Sequence, residues 1–410
     1  MSPSSQQGTS GTQASSARTD RAQFLLKVKS ILPAFVLVHF THHLCTGILI
    51  PLLPLIRDDF KLNYSQSGLL VSAFSITYGL SQLPIGSLAD RTNKRLILPI
   101  GLIGVAVATF ILGLSNDYLQ ALALLIVMGV FGGTYHPIAS PLISHFFSKE
   151  SRGGALGLHL VGGSSSFLVT PVLAGLIAQA AGWRTSFLVL ALPAIIASFV
   201  FLLVVRRDRT EGEEMIGETA GPAPSWLEIV RLIGVLVAIA MVSSLISSGI
   251  NSFLPLYLVD KHGVAPSIAA MVVGLTAGAG ILGAPAGGAL SDRIGRKAVI
   301  LFSVAGSGPL LFLLTVVPFG VGLIVVIVLF GLVMTARMPV MESLIMDVVP
   351  IAKRSTVLGA YFFLTQEVGG LAAMVVGFLM DLLGLSQVFT IMALLAVASS
   401  GLVVLIGRKA

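Results

Sequence analysis

Long uninterrupted runs of apolar residues, separated by short polar segments, fill most of this chain. A helix needs about 20 apolar residues to cross the roughly 30 Å hydrocarbon core of a membrane, whereas a transmembrane barrel strand alternates apolar and polar residues over about ten. The runs do not alternate, so they predict helices. Twelve spans are expected, near residues 32–56, 66–89, 96–115, 119–143, 155–180, 186–205, 230–259, 266–290, 298–316, 321–347, 357–380 and 386–406.

The pattern occurs twice, with an offset of 202 residues. Residues 90–95 (DRTNKR) follow one apolar hairpin, and residues 292–297 (DRIGRK) follow a second. The sequence therefore predicts two six-helix bundles, and internal repeats of this kind are typical of transporters that hold a substrate between the repeats. Further pairs that keep the offset are Gly86 with Gly288, Pro137 with Pro339, Arg152 with Arg354, Gly157 with Gly359, and Gly175 with Gly377.

Composition and loop content define the organisation. Hydrophobic residues make up 55% and charged residues 10% of the sequence, with a mean hydropathy of +0.96, whereas soluble domains average roughly 45–50% and 25%. We predict an all-α integral membrane protein with a disordered cytoplasmic tail (residues 1–30), an amino-terminal bundle (31–205), a cytoplasmic linker (206–228) and a carboxyl-terminal bundle (229–410). The tail lacks an apolar run, and the linker mixes charges with Gly and Pro.

Basic residues predict the orientation. If the amino terminus is inside, four of the 25 Lys and Arg lie outside, one lies within a span, and the other 20 lie in the cytoplasm. The positive-inside rule favours this arrangement, with both termini cytoplasmic in an inner (plasma) membrane. Basic loops beside anionic lipid account for the net charge of +7 without a nucleic-acid partner. The outside residues are Arg57, Lys61, Arg184 and Lys261.

The repeated loop resembles the signature of the major facilitator superfamily. Residues 86–95 (GSLADRTNKR) and 288–297 (GALSDRIGRK) both match it, between the second and third spans and between the eighth and ninth. The resemblance implies a twelve-helix carrier in which these loops help to close the two halves on the cytoplasmic side. Asn93 stands where the second loop has Gly295, and Asn also tolerates a left-handed backbone. The implied gate residues are Gly86, Asp90, Arg91, Gly288, Asp292 and Arg293.

The first half is also similar to the fosmidomycin-resistance branch of that superfamily. The matching positions are His39, Phe40, Gly47, residues 51–54 (PLLP) and residues 133–137 (GTYHP). The chain departs from the branch at His43 and Ile138, where acidic residues are usual.

Ionisable residues within the spans point to the mechanism, because placing Arg or Asp at the bilayer centre costs roughly 2.5–3.5 kcal/mol. They are His39, His42, His43, His136, His159, Arg337, Glu342 and Glu367. In the family, spans one, four, seven and ten line the central cavity, and the repeat register puts Tyr135 opposite Arg337. The substrate-binding residues implied are Arg337, His39, His43, Tyr135, His136 and Asn251.

Arg337 carries a permanent charge, and its planar fork matches a carboxylate or phosphonate. It is a candidate for binding a substrate anion, and the alternative is an interhelical ion pair with Glu367. Glu367 and His136 are the candidate proton-coupling groups, since unperturbed His titrates at about 6.5. The alternative for Glu367 is a structural ion pair with Arg337, and the alternative for His136 is a structural role in helix packing.

We expect a monomeric secondary carrier with no cofactor. It moves a small anionic or amphipathic organic molecule by proton-coupled alternating access, with efflux favoured. The chain lacks a phosphate-binding Gly-Lys-Ser/Thr loop and any loop large enough for a catalytic site, which argues against an enzyme. Alternatives are proton-linked uptake of a carboxylate, a non-transporting sensor, and a transition-metal carrier. A soft-metal path would use His39, His42, His43 and Cys45, but Arg337 would repel the cation, so no metal site is predicted.

Overall fold

The computed structural model describes residues 31–91, 93–146, 149–207, 226–348 and 351–407. The predicted tail and the centre of the predicted linker lie outside these residues. Within them the chain forms fourteen helices and short turns without a strand, which confirms the all-α prediction. The helices are α1 (Leu32–Thr46), α2 (Leu49–Phe60), α3 (Tyr64–Arg91), α4 (Lys94–Leu112), α5 (Tyr118–Gly132), α6 (Tyr135–Phe146), α7 (Lys149–Ala181), α8 (Trp183–Arg207), α9 (Trp226–His262), α10 (Pro266–Ile294), α11 (Arg296–Val316), α12 (Val321–Val348), α13 (Ile351–Leu383) and α14 (Leu385–Gly407).

Two of the twelve predicted spans are each divided into two helices. The first span is broken at Gly47, between α1 and α2, and the fourth at Gly133, between α5 and α6. In both spans a proline follows the glycine by four residues, at Pro51 and Pro137. A continuous helix would drive the proline ring into the carbonyl group four residues earlier. The spans are present as predicted, but their helices are not continuous.

The outer faces of the helices suit a membrane. Nine stretches among the described residues are long and apolar enough to cross one, and each divided span counts once among them. Exposed Leu, Ile, Val and Phe side chains lie along these stretches. Each helix satisfies its own backbone hydrogen bonds, which is the condition for crossing hydrocarbon.

The two repeated loops differ in backbone conformation. Gly295, between α10 and α11, has a φ of 89°, which lies in the left-handed region that favours glycine. Asn93 instead has a φ of −76° and a ψ of 101°, and its side chain accepts a hydrogen bond from the backbone N–H of Arg95. Asn93 therefore replaces the glycine as the N-cap of α4, and the left-handed conformation considered from the sequence does not occur.

The two halves approach most closely where α3 packs on α13. A Cβ added to Gly68 would lie 2.4 Å from the carbonyl oxygen of Ala373, and one added to Gly377 would lie 2.4 Å from that of Tyr64. Only glycine allows backbones to come this near. The α7/α10 pair makes a similar contact, since a Cβ on Gly175 would lie 3.0 Å from a backbone oxygen of α10.

The buried apolar core divides in the same way. One large cluster contains residues of both halves, such as Leu52 and Phe253. A second cluster, which includes Phe35 and Phe146, belongs to the first half alone. We call the end of the bundle that carries residues 57–64 the closed end, because among the described residues the halves share a core only on that side.

Candidate functional site

A column of four stacked aromatic rings lies between α1, α6 and α7. His159 stacks on His39 with 4.2 Å between ring centroids, and His39 stacks on Tyr135 at 5.0 Å. Tyr135 in turn stacks on His42 at 4.6 Å. All four side chains are buried. Because His39 and His42 are three residues apart on α1, they share a face, and Tyr135 inserts between them.

His136 stands edge-on against this column. Its ring is nearly perpendicular to the rings of His39, Tyr135 and His42, at 82°, 85° and 87°. The break before α6 places Tyr135 and His136 in the first turn of a new helix, where neighbouring side chains point in different directions. Unlike the column, His136 is exposed, so the cluster reaches accessible space through this ring.

Several ring nitrogens of the cluster lack a partner. Nδ1 of His39 lies 2.9 Å from the carbonyl oxygen of His159. A carbonyl only accepts, so Nδ1 carries the hydrogen, and Nε2 of the neutral ring carries a lone pair. That Nε2, both ring nitrogens of His42 and Nδ1 of His159 have no hydrogen-bond partner among the described residues. An unpaired buried polar atom costs about 1–3 kcal/mol, which packing alone does not explain.

Arg337 lies on α12 in the second half, and only 7% of its surface is exposed. Its Nη1 has no hydrogen-bond partner in the part of the chain that the structure describes. Met334, one turn earlier on the same face, accepts a hydrogen bond from Ser247 of α9 with an Oγ to Sδ distance of 2.9 Å, so this face of α12 is turned toward α9. A buried guanidinium requires a counter-charge or full hydrogen bonding. Arg337 is therefore suited to bind an anion.

Contacts across the two halves fix the depth of the histidine column. On α7, a Cβ at Gly163 would lie 2.6 Å from the ring of His39. Leu168 follows five residues later, about 7 Å nearer the closed end. Its side chain packs on Gly278 of α10, where a Cβ would lie 2.7 Å away. Measured along α10, His39 thus lies about 7 Å farther from the closed end than Gly278 does.

Arg337 has nearly the same depth. Thr335 of α12 packs on Gly283 of α10, with 2.3 Å from its Oγ1 to an added Cβ. Gly283 lies five residues beyond Gly278, again about 7 Å away from the closed end. Thr335 is therefore at the same distance from the closed end as His39, and Arg337 lies about 3 Å farther from that end. The imidazoles of the first half and the guanidinium of the second occupy one layer of the bundle.

Two other predicted substrate residues lie apart from this arrangement. Asn251, on α9, is half-buried and lies one turn from Ser247 toward the closed end. It is about 10 Å from Arg337 along the bundle axis, so the structure does not place the two side by side. Tyr135 is fully buried within the column, and its hydroxyl donates to the carbonyl of Phe35 at 3.5 Å. Its contact with substrate stays a prediction.

The side chains of Glu367, Asp90 and Arg91 lie outside what the structure describes, although their backbones belong to α13 and α3. The predicted coupling role of Glu367 and the predicted gate roles of Asp90 and Arg91 are therefore unchanged expectations.

The second gate loop makes few contacts. Asp292 and Arg293 are exposed, and neither forms an ion pair with a described residue. Among the described residues, a Cβ added to Gly288 would meet no atom within 4 Å, and one added to Gly86 would meet only Pro137 of its own half, at 3.7 Å. Gly86, Gly288, Asp292 and Arg293 thus make no contact of these kinds between the halves within the described part of the chain.

A network at the closed end joins the halves instead, and we call it the polar seal: Arg57, Tyr64, Ser65, Asp260 and Asp381. Both terminal nitrogens of Arg57 donate to the carboxylate of Asp260, with 2.8 Å from Nη2 to Oδ1. The hydroxyl of Tyr64 donates to the same carboxylate at 2.7 Å. The carboxylate of Asp381 accepts the backbone N–H groups of Tyr64 at 3.0 Å and of Ser65 at 2.8 Å. It thereby caps α3 from the opposite half.

The sequence interpretation missed this seal, because it treated Arg57 only as an outside charge. A signal was available in the repeat. Arg57 and Asp260 are 203 residues apart, close to the repeat offset, so equivalent span ends in the two halves carry opposite charges that can meet across the interface.

Asp260→Asn is expected to loosen the closed end. The substitution removes the negative charge that Arg57 binds with two hydrogen bonds, at a site where the two side chains are 15% and 20% exposed. The equilibrium should shift toward opening of this end by about fivefold, or about 1 kcal/mol. Spin labels on Asn116→Cys and Lys261→Cys, one in each half, report this shift as a longer distance in pulsed electron paramagnetic resonance.

The matched control is Asp59→Asn. Asp59 forms an ion pair with Arg184, 2.8 Å from Nη1 to Oδ2, within the first half at the same end. Its loss should leave the label distances unchanged. If Asp59→Asn and Asp260→Asn shift the distances equally, the seal does not hold the halves together.

The sequence is similar to a known protein family and to individual proteins. A family model described as the Major Facilitator Superfamily matches residues 35–280 and 236–409. The chain is 28% identical over 308 residues to the multidrug resistance protein MdtG of Proteus mirabilis, across 73% of this chain and 76% of that protein. It is 25% identical over 371 residues to the fosmidomycin resistance protein of Escherichia coli, across 89% and 90%.

The fold also matches a solved structure. A bacterial homolog of the human lysosomal transporter Spinster, crystallised in an inward-facing and unoccupied conformation, superposes with a TM-score of 0.78 over 92% of this chain and 96% of that one. The two sequences are 18% identical, so the similarity concerns the fold alone.

Proposed function

Since the chain belongs to the Major Facilitator Superfamily, we propose that it exports a small anionic or amphipathic organic molecule by proton-coupled alternating access. It is a multi-pass membrane transporter of small molecules and not an enzyme. The observation that carries the proposal is Arg337, a buried guanidinium whose Nη1 has no partner among the described residues, at the depth of the histidine column in the other half.

The chemistry of the layer supports an amphipathic anion. Arg337 provides a forked donor for a carboxylate, phosphonate or similar group. In the first half, His136 and Phe167 are exposed aromatic rings, and Phe167 packs on His43 with 4.4 Å between ring centroids. Aromatic faces bind the apolar part of a solute through area and ring contacts. A molecule with one anionic end and one apolar end matches both the guanidinium and the aromatic rings.

Two observations support export. Two relatives described above, from Proteus mirabilis and Escherichia coli, are named for multidrug resistance and for fosmidomycin resistance. If the amino terminus is cytoplasmic, as the basic residues predict, the polar seal closes the outer side of the bundle. The conformation then loads its cavity from the cytoplasm, and rocking of the halves about the central layer releases the solute outside.

A transport screen in proteoliposomes tests the function. Fosmidomycin, aliphatic carboxylates and uncharged amphipathic compounds are offered with and without an imposed pH gradient. We expect at least one anionic compound to accumulate on the side from which protons are drawn, against its own gradient. Accumulation on the side toward which protons flow would instead support the alternative function, proton-linked uptake of a carboxylate. Transport that ignores the pH gradient would overturn proton coupling.

Glu367→Gln is expected to uncouple transport. The substitution keeps the shape of the side chain and removes its proton, so gradient-driven accumulation should fall to the background of empty liposomes while exchange of substrate for substrate continues, since exchange needs no net proton movement. Both fluxes are measured in the same proteoliposomes. His136, the second coupling candidate from the sequence, stays a prediction.

Asp117→Asn is the control for this experiment. Asp117 is an exposed carboxylate that accepts the backbone N–H of Gln120 as the N-cap of α5. Its variant should retain both fluxes. If Glu367→Gln loses exchange as well as accumulation, Glu367 is structural, and if it retains accumulation, the proton is carried elsewhere.

A further inference from the structure

We propose that His39, His43 and His136 form a binding site for one divalent transition-metal ion of the Zn²⁺ or Co²⁺ class. One ring nitrogen of each histidine lies within 4.8 Å of the ring nitrogens of the other two. His39 and His43 are four residues apart on α1 and share one helix face. His136 approaches them from the first turn of α6. Three imidazoles around an open position are a common set for such ions.

The geometry needs only a small adjustment. With metal to nitrogen distances of 2.0–2.1 Å, tetrahedral ligands lie about 3.4 Å from one another, so the ring nitrogens must approach one another by up to about 1.4 Å from their separation of at most 4.8 Å. His136 is the exposed member of the three, whereas His39 and His43 are buried, so most of this movement falls to the ring of His136.

In each of the two buried histidines, a contact at Nδ1 leaves Nε2 available to bind the metal. Nδ1–H of His39 donates to the carbonyl of His159, which leaves the unpartnered Nε2 with a lone pair. Nδ1 of His43 lies 3.0 Å from Oγ1 of Thr46, which leaves its Nε2 for a metal. Metal-binding histidines typically donate their other ring hydrogen to a carbonyl or similar oxygen, and this contact sets the tautomer and the ring orientation.

This site differs from the soft-metal path considered from the sequence. That path used Cys45 and His42, neither of which belongs to the group of ligand atoms that lie within 4.8 Å of one another. His136, from a different span, supplies the third ligand. All three ligands belong to the first half, so binding does not require closure against Arg337. Because His136 is exposed, a fourth coordination position is left for water or another ligand.

Purified full-length protein in detergent, with any affinity tag removed, tests the site. Titration with Co²⁺ should produce the visible absorption of a tetrahedral ion with about one ion per chain, and added Zn²⁺ should displace it. His136→Asn should weaken Co²⁺ binding more than 100-fold, because even the loss of a supporting contact costs about 10–100-fold. Thr46→Val, which removes only the contact to His43, should weaken it about tenfold.

The matched control is His262→Asn. His262 lies at the end of α9, beside Tyr257 with 5.4 Å between ring centroids and away from the cluster. It should bind Co²⁺ like the parent protein. Arg337→Gln should bind Co²⁺ at least as tightly as the parent, because it removes a positive charge at the same depth, so failure of the anion site and failure of the metal site are distinguishable. Wild-type protein that binds no Co²⁺, or His136→Asn protein that binds it equally well, overturns the proposal. Size-exclusion elution of His136→Asn at the wild-type volume excludes misfolding, and its exposed position makes folding the expected outcome.

Discussion

Arg337→Gln is expected to weaken binding of an anionic substrate by about 100-fold or more. The residue is 7% exposed and its Nη1 has no partner among the described residues, so a bound anion would supply a hydrogen-bond partner for Nη1. Removing one member of a buried, hydrogen-bonded charge pair costs about 2–5 kcal/mol, and about 3 kcal/mol corresponds to this change in affinity. Equilibrium binding in detergent of an anion identified by the transport screen measures it.

Arg337→Lys is expected to restore little of the affinity, because an ammonium cannot reproduce two parallel hydrogen bonds to one carboxylate or phosphonate. Arg293→Gln is the control, since Arg293 is exposed and lies in the second gate loop. It removes the same charge from the protein and should leave binding within about twofold. Unchanged affinity in both Arg337 variants would show that the guanidinium is structural.

Combined substitution of Gly68→Ala and Gly377→Ala is expected to shift the carrier away from the closed-end conformation by about 100-fold. Each added Cβ would lie 2.4 Å from a backbone carbonyl oxygen of the other half, at Ala373 and at Tyr64. Backbone cannot rotate out of the way, so α3 and α13 must separate. Overpacking of this kind costs about 1–3 kcal/mol per site. Label distances across the closed end report the separation.

Gly401→Ala is the control for the glycine pair. Gly401 lies in α14, and a Cβ added there would meet no atom within 4 Å. The label distances should match those of the parent protein. A Gly68→Ala and Gly377→Ala protein that keeps the short distances would show that the halves do not rely on this close packing, and each single variant shows which contact matters.

The sequence by itself determined that the chain lies in a membrane, that its spans are helical, and that its pattern occurs twice. A helix needs about 20 apolar residues to cross the hydrocarbon core. Each span can therefore be recognised from its own sequence, without knowledge of the helices that it contacts. The offset of 202 residues likewise needs no tertiary contact. Orientation and the suitability of Arg337 for an anion also rest on local chemistry, because each concerns the charge of single side chains.

The two helix breaks were not predicted from the sequence. Gly47 with Pro51, and Gly133 with Pro137, have the same spacing. However, Pro339, the repeat equivalent of Pro137, lies inside the continuous α12, so a proline by itself does not decide where a helix breaks. The breaks also determine which side chains are buried. The second break starts α6 at Tyr135, which sends Tyr135 into the buried column and leaves His136 exposed, whereas the sequence assigned both to the substrate.

Tertiary structure alone decided which side chains meet. His39 contacts the carbonyl of His159, 120 positions away in the chain, and Arg57 reaches Asp260 across 203 positions. Such pairs depend on how helices rotate and how closely they pack, and between the two halves the close approach of α3 and α13 is set by Gly68 and Gly377. Periodicity gives the face of a helix but not its neighbour. The metal-binding cluster and the polar seal therefore emerge only when the helices are assembled.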